Sequence, residues 1–257
     1  MRHIRAVIRI FLIVFTTGFL CFFWLLGNLL SMRSPKLREF VRYHIVHTWA
    51  IALTTIMGMK KQVTGNAPRP PFCLVSNHLS YVDILLFLSL VRGVFVSRAD
   101  VRQWPILGYL AYLSGSLFID RTSAKDVVRV NSLIEGALSK NKGVILFPEG
   151  TSSRGKVVGP FRSSLLEYPA QTETPVHFAA ISYEIMPGSP PASETICWWG
   201  DMTFSDHLYT LLTIPRYRAL IHFGETPICS RDRKQLTTKL REKIMENFVP
   251  VIQIDHR

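Results

Sequence analysis

Residues 72–83 read Phe-Cys-Leu-Val-Ser-Asn-His-Leu-Ser-Tyr-Val-Asp. The apolar run at 72–75 follows a cluster of turn formers, TGNAPRPP at 64–71, and then gives way to polar residues, which predicts a buried strand ending in a loop. A helical pattern begins at 82 and continues to 91. His78 and Asp83 stand five residues apart, and on one continuous helix they would point about 140° away from each other. A turn between them removes that obstacle. Ser80 is suited to cap the helix, which leaves His78 on the loop and puts Asp83 in the first helical turn. From there the carboxylate can bond one imidazole nitrogen and leave the other free to take a proton. The plainer reading makes His78 a partner for a loop carbonyl and Asp83 a helix cap.

Outward from this segment, short apolar runs at 93–96, 117–119 and 144–147 read as further buried strands, with a helical pattern at 126–140. Strands are also expected at 176–185, 196–199 and 217–224, before a closing helix at 231–247. This alternation predicts an α/β fold: a mixed, largely parallel sheet flanked by helices. Two more strand ends carry chemistry. Residues 115–121, GSLFIDR, deliver Arg121, and residues 147–152, FPEGTS, combine an acid, a glycine and hydroxyls. Arg is well suited to bind phosphate.

The chain has 257 residues and a formal net charge of +12. Residues 1–60 hold eight Lys/Arg against one acid, so the most basic segment is also the most apolar. That pairing favours a membrane partner over nucleic acid, for which no basic recognition helix or metal-finger spacing is visible. Cys21, Cys73, Cys197 and Cys229 stand far apart with no C-x-x-C pair, which predicts reduced thiols and no metal site. Residues 10–30 carry no charge, and their roughly 32 Å as a helix matches the hydrocarbon thickness of a bilayer. A second helical stretch at 37–59 looks interfacial. Basic residues flank the first helix on both sides, so charge gives no orientation. A one-sided helical hairpin turning at Ser34-Pro35 and a single span with headgroup anchors both fit. The expected division is a membrane-anchoring helical segment at 1–63 and a globular domain at 64–257.

The blocks at 77–83 (N-H-x-S-x-x-D), 95–98 (FVSR), 104–108 (WPILG), 115–121 (G-x-x-F-I-D-R) and 147–151 (FPEGT), in this order, resemble the glycerolipid acyltransferase family typified by 1-acyl-glycerol-3-phosphate acyltransferases. The resemblance runs over about 63–182, and the ordered set is far more specific than any one block. It implies that a fatty acyl group moves from acyl-CoA or acyl carrier protein to the free hydroxyl of 1-acyl-glycerol-3-phosphate, giving phosphatidic acid. His78 would be the general base and Asp83 its orienting partner; Arg98, Arg121, Glu149, Gly150 and Thr151 would hold the acceptor. Neither a metal nor another cofactor is implied, and the expected place is the bacterial inner membrane with the site facing the cytoplasm.

Two departures bear on the acceptor. Phe161-Arg162-Ser163-Ser164 lacks the glycine of the family's Phe-Lys-x-Gly, and Pro175-Val176-His177-Phe178 lacks the second proline of its Pro-x-x-Pro. Both lie away from the proposed base and leave open another lysolipid, such as lyso-ornithine lipid or a lysophospholipid with a larger headgroup. A non-catalytic lipid-binding protein on the same fold is the rival from another class. No G-x-S-x-G elbow is present, so direct transfer without an acyl-enzyme is expected.

Overall fold

The computed structural model describes residues 1–104, 107–119, 124–138, 140, 142–186 and 188–252. The chain begins with helices α1 (Arg2–Leu30) and α2 (Pro35–Ile56) and continues through β1 (Met59–Thr64), β2 (Phe72–Ser76), α3 (Val82–Leu88) and β3 (Gly93–Arg98). After a 3-10 turn at Ala99–Gln103 come α4 (Leu107–Leu113), β4 (Leu117–Ile119), α5 (Ala124–Leu138) and β5 (Gly143–Leu146). A second 3-10 turn at Ser163–Leu166 leads to α6 (Glu167–Gln171), β6 (Val176–Ile185), α7 (Ala192–Thr195), α8 (Phe204–Thr213), β7 (Tyr217–Phe223) and α9 (Arg233–Asn247). The expected strand at 196–199 does not form: Ile196 and Cys197 close the short helix α7 and are buried as core residues instead.

The strands make one sheet in the order β1-β7-β6-β2-β5-β3-β4, parallel throughout except for the antiparallel β6–β7 pair. Every residue of β2 and β5 is buried, as a parallel sheet covered on both faces requires. Alternate residues supply two cores. Leu74, Phe95, Ile145 and Ile181 face a layer built with α2, α3 and α8, whereas Cys73, Val75, Val144 and Leu146 face α5, α6 and α9. The strand β1 pairs with β7 from Met59↔Tyr217 to Thr64↔His222, so the expected division at 63/64 falls at the end of a strand of this sheet.

The helical pair folds back on itself and lies along the domain. Trp49 Nε1 donates to Thr17 Oγ1 at 3.0 Å, and a Cβ at Gly27 would meet Val41 at 2.5 Å, so α1 and α2 run antiparallel in close contact. Ser34 caps α2 by accepting from Leu37 N, with Pro35 in the first turn, where its missing N–H costs nothing. Arg5 donates to Thr213 O at 2.7 Å, and Arg9 donates to Leu212 O, Ile214 O and Pro215 O, covering the last carbonyls of α8. Both ends of the pair therefore meet the domain beside Tyr217. At the start of α2, Lys142 bonds Glu39 at 3.0 Å. The outer face of α1 presents Phe11, Phe15, Phe19 and Phe22, each more than half exposed. Helix α1 is long and apolar enough to cross a membrane.

Candidate active site

Val75 of β2 pairs with Leu146 of β5, so the loops that begin at Asn77 and Phe147 leave the same sheet edge side by side. Ligands of parallel α/β sheets sit at such carboxyl ends. Asn77 is fully buried and prolongs the ladder with its side chain, donating to Ile181 O at 2.9 Å and accepting from Ile181 N at 2.8 Å. His78 O accepts from Ser153 N at 3.0 Å, and Leu79 O from Trp198 N at 2.9 Å. The loop is thus tied on three sides before its imidazole is considered.

Asp83 is the buried centre of this loop, at 0% exposure. Its Oδ2 accepts from His78 Nδ1 at 2.8 Å, Leu79 N at 2.7 Å and Ser80 N at 3.0 Å, while Oδ1 accepts from the Tyr183 hydroxyl at 2.6 Å. Four donors converging on one side chain suit a carboxylate anion, which has no proton to give. Nδ1 then carries the hydrogen and Nε2 presents a lone pair. Burial, with Asp83 beside it, pushes the Tyr183 hydroxyl well above its usual range, so it remains a donor. Ser80 plays a smaller part than its N-cap assignment: the cap is Tyr81, and Ser80 Oγ accepts only a 3.4 Å bond from Val82 N. The charged carboxylate is the stronger acceptor and takes the amides of residues 79 and 80 itself.

The imidazole of His78 stacks on Phe147 with centroids 4.2 Å apart and planes 10° apart, and Phe147 stacks in turn on Phe95. His78 keeps 17% of its side chain exposed. Ring-plane stacking holds the imidazole so that its Nε2 edge faces away from Asp83. A neutral imidazole so fixed can accept a proton from a hydroxyl held against that edge.

Glu149 sits behind His78. Its Oε1 accepts from His78 N at 2.7 Å and its Oε2 from Gly159 N at 2.9 Å, so both oxygens are engaged with backbone. At 8% exposure, with each oxygen accepting from one backbone amide, Glu149 braces the two loops. Burial pushes its carboxyl up, and the two amides pull it partly back. A Cβ at Gly159 would lie 2.6 Å from Oε2, so the brace needs glycine there. Arg241 of α9 fixes the same segment by donating to Gly159 O and Val158 O, both at 2.7 Å. Gly150 turns the loop with φ of 80°, where a side chain is strained, and Thr151 is exposed beside it.

Arg98 ends β3 on the same sheet edge, exposed and bonded to Asp100 through both Nε (3.0 Å) and Nη2 (2.8 Å). An anion would share it with that carboxylate. Arg121 lies outside the described residues. The sequence reading passed over Tyr183, whose place within an apolar strand carries no sign of its partner, and Arg154, an exposed cation on the 147–159 loop that stacks over Trp199 at 5.0 Å. Burial pushes the Cys73 thiol up to about 12 and raises that of Cys197, so neither supplies a thiolate at neutral pH.

Residues 60–182 match the family model Acyltransferase. The chain is 32% identical over 206 residues to the lyso-ornithine lipid O-acyltransferase of Pseudomonas aeruginosa, covering 79% of this chain and 78% of that protein. It is 24% identical over 198 residues to the 1-acyl-sn-glycerol-3-phosphate acyltransferase of Neisseria gonorrhoeae, covering 76% and 75%. Its fold matches the crystal structure of the 1-acyl-sn-glycerophosphate (LPA) acyltransferase PlsC from Thermotoga maritima, with a TM-score of 0.66, 19% identity and coverage of 96% and 98%.

Proposed function

This chain belongs to the acyltransferase family, and on that premise we propose that it moves a fatty acyl group from acyl-CoA or acyl carrier protein to the free hydroxyl of a lysolipid. The observation that carries this reading is the His78–Asp83 pair at the carboxyl end of β2, with Nδ1 held by the carboxylate and Nε2 turned outward. His78 takes the hydroxyl proton as the oxygen attacks the thioester carbonyl, and Asp83 stabilises the imidazolium that forms. The thiolate of the carrier leaves and accepts the proton, so no acyl-enzyme, metal or other cofactor takes part.

For the acceptor, the 32% identity to a lyso-ornithine lipid acyltransferase favours lyso-ornithine lipid over 1-acyl-glycerol-3-phosphate, for which the corresponding figure is 24%. The changed residues at 161–164 and 175–178 leave an acceptor other than 1-acyl-glycerol-3-phosphate open. Arg98 and Arg121 would hold an acidic group of the acceptor, with Gly150 and Thr151 shaping the rim. The phenylalanine face of α1 would rest on the bilayer, since Arg5 and Arg9 of α1 and Glu39 and His47 of α2 hold the pair against the domain. The bacterial inner membrane, with the site towards the cytoplasm, supplies both lipid and thioester.

The test is transfer of a labelled acyl group from each donor to each lysolipid, comparing the native protein with His78→Ala. Product from the native protein alone identifies the acceptor; no product from folded native protein with any donor and acceptor removes this reading in favour of a lipid-binding one.

A further inference from the structure

At the opposite end of the sheet from His78, two shallow, open recesses adjoin, sharing Val46 and Ser114 in their walls. The first lies between α2 and the amino ends of β3 and β5. It holds Arg42, Arg92 and Lys142 against Glu39, a formal excess of two positive charges. The second runs between α1, α2 and α4 and is walled by Leu20, Trp24, Ile45, Trp49 and Leu113. Each recess contains a buried donor that, among the described residues, has no acceptor: Arg92 Nε in the charged one and Trp24 Nε1 in the apolar one. An unmet buried donor is costly, and an acceptor that reached it would remove the cost.

We propose that this double recess binds one anionic phospholipid taken from the bilayer, at a place separate from catalysis. The phosphate would lie against Arg92, whose guanidinium is already held over the Tyr43 ring at 4.8 Å, and beside Arg42 and Lys142. Glu39 bonds Arg42 at 2.7 Å and Lys142 at 3.0 Å, which fixes both cations without cancelling the excess charge. An ester carbonyl would accept from Trp24, and an acyl chain would cover the apolar wall. The joined charge and apolar surface select this occupant: a soluble anion has no use for the second recess, and an uncharged lipid has none for the first. Phe19, Phe22 and Phe23, on the same stretch of α1 as Leu20 and Trp24, are exposed, so the groove continues the surface read above as resting on the bilayer. The inference depends on that surface and not on the catalytic assignment.

The experiment titrates the full chain in a neutral detergent with phosphatidylglycerol, phosphatidylcholine or inorganic phosphate and counts bound molecules by native mass spectrometry. The expected result is one phosphatidylglycerol held roughly ten-fold more tightly than phosphatidylcholine, with inorganic phosphate far weaker. Arg92→Gln lowers phosphatidylglycerol binding by about ten-fold or more, the range of a hydrogen bond to a charged group, and Trp24→Phe by about three- to ten-fold. His78→Ala binds like the native protein, so a failed catalytic reading leaves this result standing. Equal retention of the two phospholipids by the native protein overturns the proposal even if no variant folds. Binding unchanged in both Arg92→Gln and Trp24→Phe overturns it as well.

Discussion

Asp83 and Glu39 are both carboxylates that gather several donors, yet they hold their regions in different ways. Asp83 is at 0% exposure and is met by two backbone amides, an imidazole and a phenol, all set by the sheet edge and by β6. Glu39 keeps 30% of its side chain exposed and is met by two flexible cations, Arg42 on its own helix and Lys142, which joins the helical pair to the domain. Charge pairing within reach of solvent contributes little, because water and salt screen it. A buried anion surrounded by fixed, mostly neutral donors has no such substitute, so removing any one donor is felt. The His78 loop is thus held by directional bonds, whereas the contact of α2 with the domain combines apolar packing with charges at its rim.

The largest expected effect is at the imidazole itself. His78→Ala should lower the turnover rate by about two to four powers of ten, the usual contribution of a general base, while circular dichroism and the unfolding midpoint stay near native. Activity close to native would break the assignment of the directional end as catalytic. Next comes the donor hidden in β6: Tyr183→Phe keeps the ring but leaves Asp83 Oδ1 without its 2.6 Å partner. A loss of roughly 1.5–3 kcal/mol in urea unfolding is expected. A fall in kcat of several-fold with KM unchanged is expected beside it, because an Asp83 free to turn no longer fixes the His78 ring. A merely structural role would lower stability and leave kcat in place.

The brace behind His78 gives a smaller effect with a defined pH sign. Burial raises Glu149 above its ordinary 4.5, so the folded state holds this proton more tightly than the unfolded chain does. The contribution is full below about 4.5 and is lost as pH rises through the raised value. Urea midpoints of native protein and Glu149→Gln should therefore diverge in the variant's favour as pH climbs through that window. Activity should drop roughly ten-fold, because one of the two backbone amides loses its acceptor. A pH-independent gap would show that desolvation does not dominate at this site. The smallest effect belongs to the screened end: Glu39→Gln should cost at most about 1 kcal/mol and less as salt is added. A loss several times larger and insensitive to salt would erase the contrast between the two carboxylates.

The strands at 72–75, 93–96, 117–119 and 176–185, the closing helix, and the turn that lets His78 meet Asp83 follow from local sequence. Each rests on period, spacing or a local breaker, which the backbone reads within a few residues. The helical pair was also legible, because 21 uncharged residues followed by Ser34-Pro35 leave few alternatives. Tertiary structure alone decided the rest. Tyr183 reaches Asp83 across 100 positions, His78 N reaches Glu149 across 71, and Arg5 reaches Thr213 across 208. Arg5 and Arg9 read equally well as headgroup anchors until α8 ends beside them, and β1 becomes a strand only because β7 offers it an edge. A hydrogen bond depends on distance and direction in space, and a side chain's residue type states only that it needs a partner, not which distant segment the packed sheet will bring to it.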